Sequence, residues 1–268
     1  MRTIAAIFTS PVKSLSLLKT GSVTVGYSGI VEDRRFHLVD EDGRLLTQRQ
    51  HGRLALVQAG YSADTEVLTL RFPDGTHLEG TTELGDMVST TIWGRQVSGR
   101  EVTGNWNDVF SSYCGSPVRL VKTDIPGDSY DEYPVSLLSQ ASVDKLGDYL
   151  NDNLVTPDDK TNIPTLEGRR FRPNFLIDGC SPHEEDFWLG GLLQIGPDLR
   201  VRMVAPDPRC AITMLDPDTG DRDFNVPKLL QRYRPNTRAP YFGVYGTVEA
   251  TGVVSVGDYV DPIHEPSQ

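Results

Sequence analysis

Three observations predict a β-rich α+β protein. The first half of the chain alternates apolar and polar residues in short runs, Gly, Asp and Pro turn signals punctuate those runs, and helical spacing is confined to a few later segments. In order, IAAIFTSPV, GSVTVGYSGI, RRFHLVDEDGRLLT, LALVQAGYSADTEVLTLRFPDGTHLEG and TTIWGRQVSG read as strands of a barrel or sandwich. Asp42-Gly43 and Asp74-Gly75 stand where hairpin turns belong. NDVFSSYCG, Asn107 to Gly115, is the first helical stretch, and Ser136 to Asp152 is the clearest. There Leu138, Val143, Leu146 and Leu150 share a face and Ser139 is suited to cap it. The polar loop Thr156 to Arg169, with Pro157 and Pro164, reads as surface. FRPNFLIDG, LLQIGPDLRVRMVAP, AITMLD and FGVYGTVEATGVVSVGDYV return to strand, and a short helix begins on Pro227 and runs to Tyr233. The order of elements suggests a β-barrel-like domain over residues 1–122, a second β-barrel domain with a few helices over 123–262, and a tail over 263–268.

A chain of 268 residues can bury roughly 70–75% of its unfolded surface, so a sizeable core needs no staples. The formal charge of −11 argues against nucleic acid or an anionic membrane as a partner, and any anionic ligand must be captured by local bases. The N-terminal apolar run is cut by Ser10, Pro11 and Lys13, and no other stretch is long enough to span a bilayer. A cytoplasmic protein is expected. Cys114, Cys180 and Cys210 lie far apart without CxxC spacing, which fits reduced thiols rather than a zinc knuckle or a disulfide framework.

Cys210 is the sharpest candidate for chemistry. It stands in MVAPDPRCAITMLDPDTGD, in a turn after a strand, directly behind Arg209 and with Arg202 on the preceding strand. Neighbouring cations favour thiolate, the form that attacks electrophiles or binds a soft metal. Cys180 has His183, Glu184, Glu185 and Asp186 nearby, an acidic setting that disfavours thiolate, and Cys114 lies on an apolar helix face. A second constellation is basic: Lys13 and Ser14 in SPVKSL, Arg34 and Arg35 in EDRRF, Thr47, Gln48 and Arg49 in TQRQ, and Arg172 and Asn174 in FRPNF. Paired donors at strand ends suit a phosphate-bearing ligand. No GxGxxG or Walker A pattern is present, so neither an ordinary dinucleotide loop nor an NTP loop is expected.

The segments SPVKSL, DRRFHLVDEDGRLLTQRQ, LLSQASV, FRPNFLIDG, DPRCAITMLDPDTG and FGVYGTVEATGVVSVGD, in this order, resemble the MOSC family, in which an N-terminal MOSC β-barrel domain precedes a MOSC domain, as in the amidoxime reducing components. The resemblance implies a molybdenum cofactor, a pterin dithiolene with a terminal phosphate, whose metal takes the Cys210 thiolate. It implies that Lys13, Ser14 and Arg35 hold the phosphate, that Arg172, Asn174 and Arg209 lie at the pterin, and that Ser139 lies near the cofactor. The activity implied is reduction of N-hydroxylated compounds: amidoximes, hydroxylamines and N-hydroxylated bases. Three dispersed cysteines cannot build a four-thiolate cluster, so electrons are expected from a separate donor protein, a flavin reductase or a ferredoxin-like or cytochrome-type protein. Two other readings of the thiol stay open: a molybdenum cofactor or sulfur carrier without turnover of its own, and a thiol-dependent hydrolase.

Overall fold

The computed structural model describes residues 1–154, 166–235 and 237–263; the expected tail, apart from Ile263, and most of the loop from Thr156 lie outside them. Among the described residues the first half contains β1 (Thr3–Thr9), β2 (Leu18–Thr20), β3 (Ser22–Gly26), β4 (Gly29–Ile30), β5 (Phe36–Val39), β6 (Leu45–Leu46), β7 (Gln58–Ser62), β8 (Val67–Arg71), β9 (His77–Thr81), β10 (Leu84–Ile92), β11 (Arg95–Val102), α1 (Trp106–Cys114) and β12 (Arg119–Thr123). The second half contains β13 (Val135–Ser139), α2 (Gln140–Leu154), β14 (Phe175–Asp178), β15 (Leu192–Ile195), β16 (Leu199–Pro208), α3 (Val226–Tyr233), β17 (Tyr241–Ala250), β18 (Gly252–Ser255) and β19 (Val260–Ile263). The β-rich α+β class is as the alternation predicts.

An eight-stranded sheet in the order β19-β15-β16-β17-β13-β14-β1-β2 forms the larger body, and a five-stranded sheet, β10-β11-β12-β5-β6, the smaller. The two ends of the chain meet: Thr3 pairs with Asp178 and bridges to Tyr259, and β3 pairs with β18 through Val25 opposite Gly252. The division expected at Lys122 falls inside β12, which pairs on both edges. Inward residues of the large sheet, among them Ile7, Leu137, Phe175 and Val201, make one core cluster. Phe36, Leu54, Leu70 and Phe110 centre a second, and a third packs Leu138, Leu146, Leu150, Leu229 and Phe242 beneath α2 and α3.

Two local expectations change. Ser136 to Ser139 is strand, not helix, because β13 is buried on both faces between the sheet core and α2, and so shows no alternation to read. Helix α2 starts at Gln140, and Ser139 caps it by accepting the Ser142 N–H at 3.1 Å. AITMLD is not a strand; Ala211–Met214 turns into a single 3₁₀ turn. The cause is tertiary. Arg170, fully buried, donates to the carbonyls of Thr213 (3.4 Å) and Leu215 (3.1 Å) while its guanidinium forks onto Asp223 at 2.7 and 2.6 Å, which folds this segment back on itself.

Candidate active site

The site is built at strand ends. The SPVKSL loop after β1 is strapped to the entry of β5 by three backbone bonds: Arg34 N–H to Ser10, Phe36 N–H to Pro11 and Lys13 N–H to Phe36 carbonyls, at 2.8, 2.9 and 2.7 Å. Asp33 knits the same place to the C-terminal half. It is buried, accepts from the Ser10 N–H at 2.6 Å and from Asn174 Nδ2 at 2.9 Å, and pairs with Arg34. Asn174 in turn accepts the Ser136 N–H and hydroxyl, each at 3.1 Å. Arg172 donates to the Leu15 carbonyl at 2.8 Å. Segments far apart in sequence are thus fixed around one concavity of about 440 Å³.

Its wall carries six cations, Lys13, Arg34, Arg49, Arg95, Arg172 and Arg209, against three carboxylates, Asp131, Glu132 and Asp207. In a chain of net charge −11 this is a local reversal of sign. Burial pushes the Lys13 ammonium below its ordinary value; Asp131, 2.6 Å away, opposes this, while Arg34 and Arg172 add to it. Burial and the like charge of Arg34 bring Arg172 down to about 10. Asp131 would be raised by burial, but Lys13 and Arg34 outweigh that and hold it well below the usual carboxylate range. Cations outnumber carboxylates on this wall, and an anion among them would offset the excess.

Cys210 opens onto this concavity and is exposed there. It follows β16 directly, and its carbonyl accepts the Thr213 N–H at 3.1 Å and hydroxyl at 2.9 Å. The other thiols differ: burial raises Cys114 to about 11, and burial with Glu184 and Glu185 raises Cys180 to about 12. Behind Cys210, Arg209 is held by the carbonyls of Phe242 and Phe171, both at 2.6 Å, and its Nη2 is 2.7 Å from Asp207. That Nη2 is buried without a hydrogen bond of good geometry. Gly243, at φ 84°, leaves the space for it, since a Cβ there would meet Nη2 at 3.1 Å and the Leu137 carbonyl at 2.7 Å. Asp207 and Tyr245 close the floor; burial pushes Asp207 up to about 7 against the pull of Arg209 and the Tyr245 hydroxyl.

Backbone strain collects at the same place. Among the described residues six non-glycine residues have positive φ, and four of them, Ser14 (67°), Arg34 (50°), Trp93 (50°) and Arg172 (53°), line the concavity. Such conformations cost about 1–3 kcal/mol each and persist where the surroundings over-determine them.

Lys13, Ser14, Arg172, Asn174, Arg209 and Cys210 are therefore brought together. Arg35 is not; its guanidinium turns to the Thr123 carbonyl at 2.6 Å, and Arg34 takes the lining position. Ser139 lies outside, buried beneath α2 with its N–H on Glu185. Arg202 pairs with Glu249 and is not part of the wall around the thiol. Sequence reading missed Asp131, Ser136, Asp207 and Tyr245, which belong to no recognisable spacing, and Trp93, whose Trp-Gly dipeptide marks only a turn.

Residues 1–117 match the MOSC N-terminal beta barrel domain and residues 115–261 the MOSC domain. The chain belongs to the MOSC family, in the two-domain form that this pairing defines. It is 30% identical to mitochondrial amidoxime reducing component 2 of Rattus norvegicus and 31% identical to mitochondrial amidoxime-reducing component 1 of Homo sapiens, in each case over 96% of this chain and 82% of the relative. Among solved structures it is similar to the YUAD protein from Bacillus subtilis at 11% identity, with a TM-score of 0.44 over 97% of this chain and 94% of that one, a likeness too weak to bear on function.

Proposed function

We propose that this protein is a molybdenum-cofactor-dependent oxidoreductase that reduces N-hydroxylated compounds, with the metal on Cys210. The observation that carries the reading is a single exposed thiol opening into a cation-lined concavity of an otherwise acidic protein. The names of its relatives, amidoxime reducing components, supply the reaction class.

The donor set fits such a group. A thiolate suits a soft metal, and among the described residues no cluster of three or more His, Cys, Asp or Glu side chains stands ready to hold an ion, so the remaining ligands would come from the cofactor itself. Lys13, Arg34 and Arg172 would hold its phosphate, and Asn174, Ser136 and Arg209 would line the pterin. When bound, the cofactor supplies the two-electron chemistry. An amidoxime, R–C(NH2)=NOH, takes up two electrons and two protons, its N–O bond breaks, and R–C(NH2)=NH and water leave. The protein's own task is to place the N–OH group and to deliver a proton. With a pKa of about 7, the Asp207 carboxyl holds a proton on a substantial fraction of molecules near neutrality and can pass it to the departing oxygen. The same proposal takes its electrons from a separate donor protein and assigns the reaction to the cytoplasm.

The test is metal analysis of protein made in a cofactor-competent host, with turnover of an amidoxime driven by a reduced viologen dye. Bound molybdenum together with turnover is expected. Molybdenum without turnover would make the chain a carrier, and neither would remove the cofactor reading.

A further inference from the structure

At the rim of the concavity one cation is partnered unlike the rest. Lys13 is tied to Asp131, Arg34 to Asp33, Arg209 to Asp207, Arg95 to the carbonyls of Asp128, Tyr130 and Asp131, and Arg172 to that of Leu15. Arg49 donates only its Nε, to Thr47 Oγ1 at 3.2 Å, and its guanidinium lies over the Trp93 ring, 4.2 Å from the centroid. Among the described residues no carboxylate or carbonyl meets its Nη1 and Nη2 edge. A guanidinium stacked on indole is pre-organised and weakly hydrated, and its free edge presents two parallel donors to a planar acceptor.

Trp93 is held there at a cost. Trp93 and Gly94, at φ 50° and 85°, form the two-residue turn between β10 and β11, a position that favours Asn or Gly over a bulky side chain. Its indole N–H donates to Asp131 at 3.0 Å, so the ring is pinned between the rim and the basic floor while remaining 49% exposed. Tyr130, under Arg95 at 4.5 Å, and Tyr133, 5.8 Å from Tyr245, continue an aromatic wall.

We infer that Arg49, carried on Trp93, is a specificity-determining residue that selects N-hydroxylated substrates bearing a carboxylate on a flat ring. The inference rests on the proposed reductase for its reaction, but the recognition itself is a binding event. A carboxylate matches the charge and the two-donor edge of one guanidinium. A phosphate dianion would bring more charge than Arg49 alone offsets, beside Glu132 and Asp131 on the same wall.

The experiment compares 4-carboxybenzamidoxime with benzamidoxime on the molybdenum-loaded enzyme and its Arg49→Met variant. A tryptophan-fluorescence titration with 4-carboxybenzamidine runs alongside; the other two tryptophans, Trp106 and Trp188, are buried. In the native enzyme kcat/KM should favour the carboxylated compound, and Arg49→Met should reduce that preference about tenfold or more, through KM, as expected for loss of one charge-assisted contact. Binding of the carboxylated amidine should weaken by a similar factor, and Trp93→Phe should remove its fluorescence response. An unchanged preference and unchanged binding in Arg49→Met would overturn the inference. So would loss of molybdenum from that variant, which would place Arg49 on the cofactor. If neither amidoxime turns over, the reductase reading fails, while the titration still decides the carboxylate site.

Discussion

Cys210 is the residue whose replacement is most informative. Cys210→Ser should eliminate molybdenum retention and turnover, because an unactivated hydroxyl replaces a thiolate at a soft metal. Cys114→Ser and Cys180→Ser should retain the metal, since both thiols are pushed up and packed against core clusters; metal content of the three variants checks this. Arg34→Ala should lower pterin occupancy more than Arg35→Ala, with the loss of a charge-assisted bond of about 1.5–3 kcal/mol. The resemblance singles out Arg35, whereas Arg34 lines the concavity, because strand parity normally decides which neighbour faces inward and the left-handed Arg34 breaks that parity just before β5 begins. The proposed proton donor, Asp207, predicts a pH dependence. Its folded pKa of about 7 lies above the ordinary carboxylate value, so the proton-donating form dominates below that pH and is lost as pH rises through it. Turnover should therefore fall on the alkaline side of neutrality. The Asp207→Asn enzyme should be slower and should lose that alkaline limb in a pH–rate profile.

Among the elements, α2 and the turn after Cys210 show how much the sequence conveyed. Val143, Leu146 and Leu150 were legible as a shared helical face and pack in one cluster, which Leu138 joins from β13 rather than from the helix expected of it. The helix start was not legible, because a strand buried on both faces carries no period to separate it from a helix. Ser139→Ala should cost about 1 kcal/mol through the lost cap and leave bound molybdenum in place; urea unfolding and metal content read the two effects separately. Loss of metal there would mean that the cofactor reaches behind β13. The turn at Ala211–Met214 was hidden for another reason. Isoleucine and threonine favour a strand locally, and the decisive partner, Arg170, stands 45 residues before Leu215 in sequence. Breaking a buried ion pair from one side costs about 3–5 kcal/mol, reduced here by the partial exposure of Asp223, so Arg170→Met should lower the unfolding free energy by about 3 kcal/mol in the same assay.

For the molecule as a whole, the order of recognisable segments conveyed the family and most of the basic wall, while the pairing of the two chain ends had no local signal. That pairing makes the halves unequal partners. A fragment of residues 1–122 should show no cooperative thermal transition, because β1 would lose its neighbour β14 and β3 its neighbour β18. The same topology bears on synthesis. At a ribosomal pace of roughly 5–20 residues per second, Thr3 leaves the tunnel on the order of ten seconds or more before Asp178, its partner, is made. For that interval β1, with Ile4, Ile7 and Phe8, has only the three-residue β2 beside it and leaves its other edge unpaired, a natural client for a holding chaperone. The concavity draws Lys13 from one side of this closure and Arg172, Cys210 and Tyr245 from the other, so the proposed cofactor cradle is complete only after translation has passed Tyr245, and its loading would be a late, post-translational event.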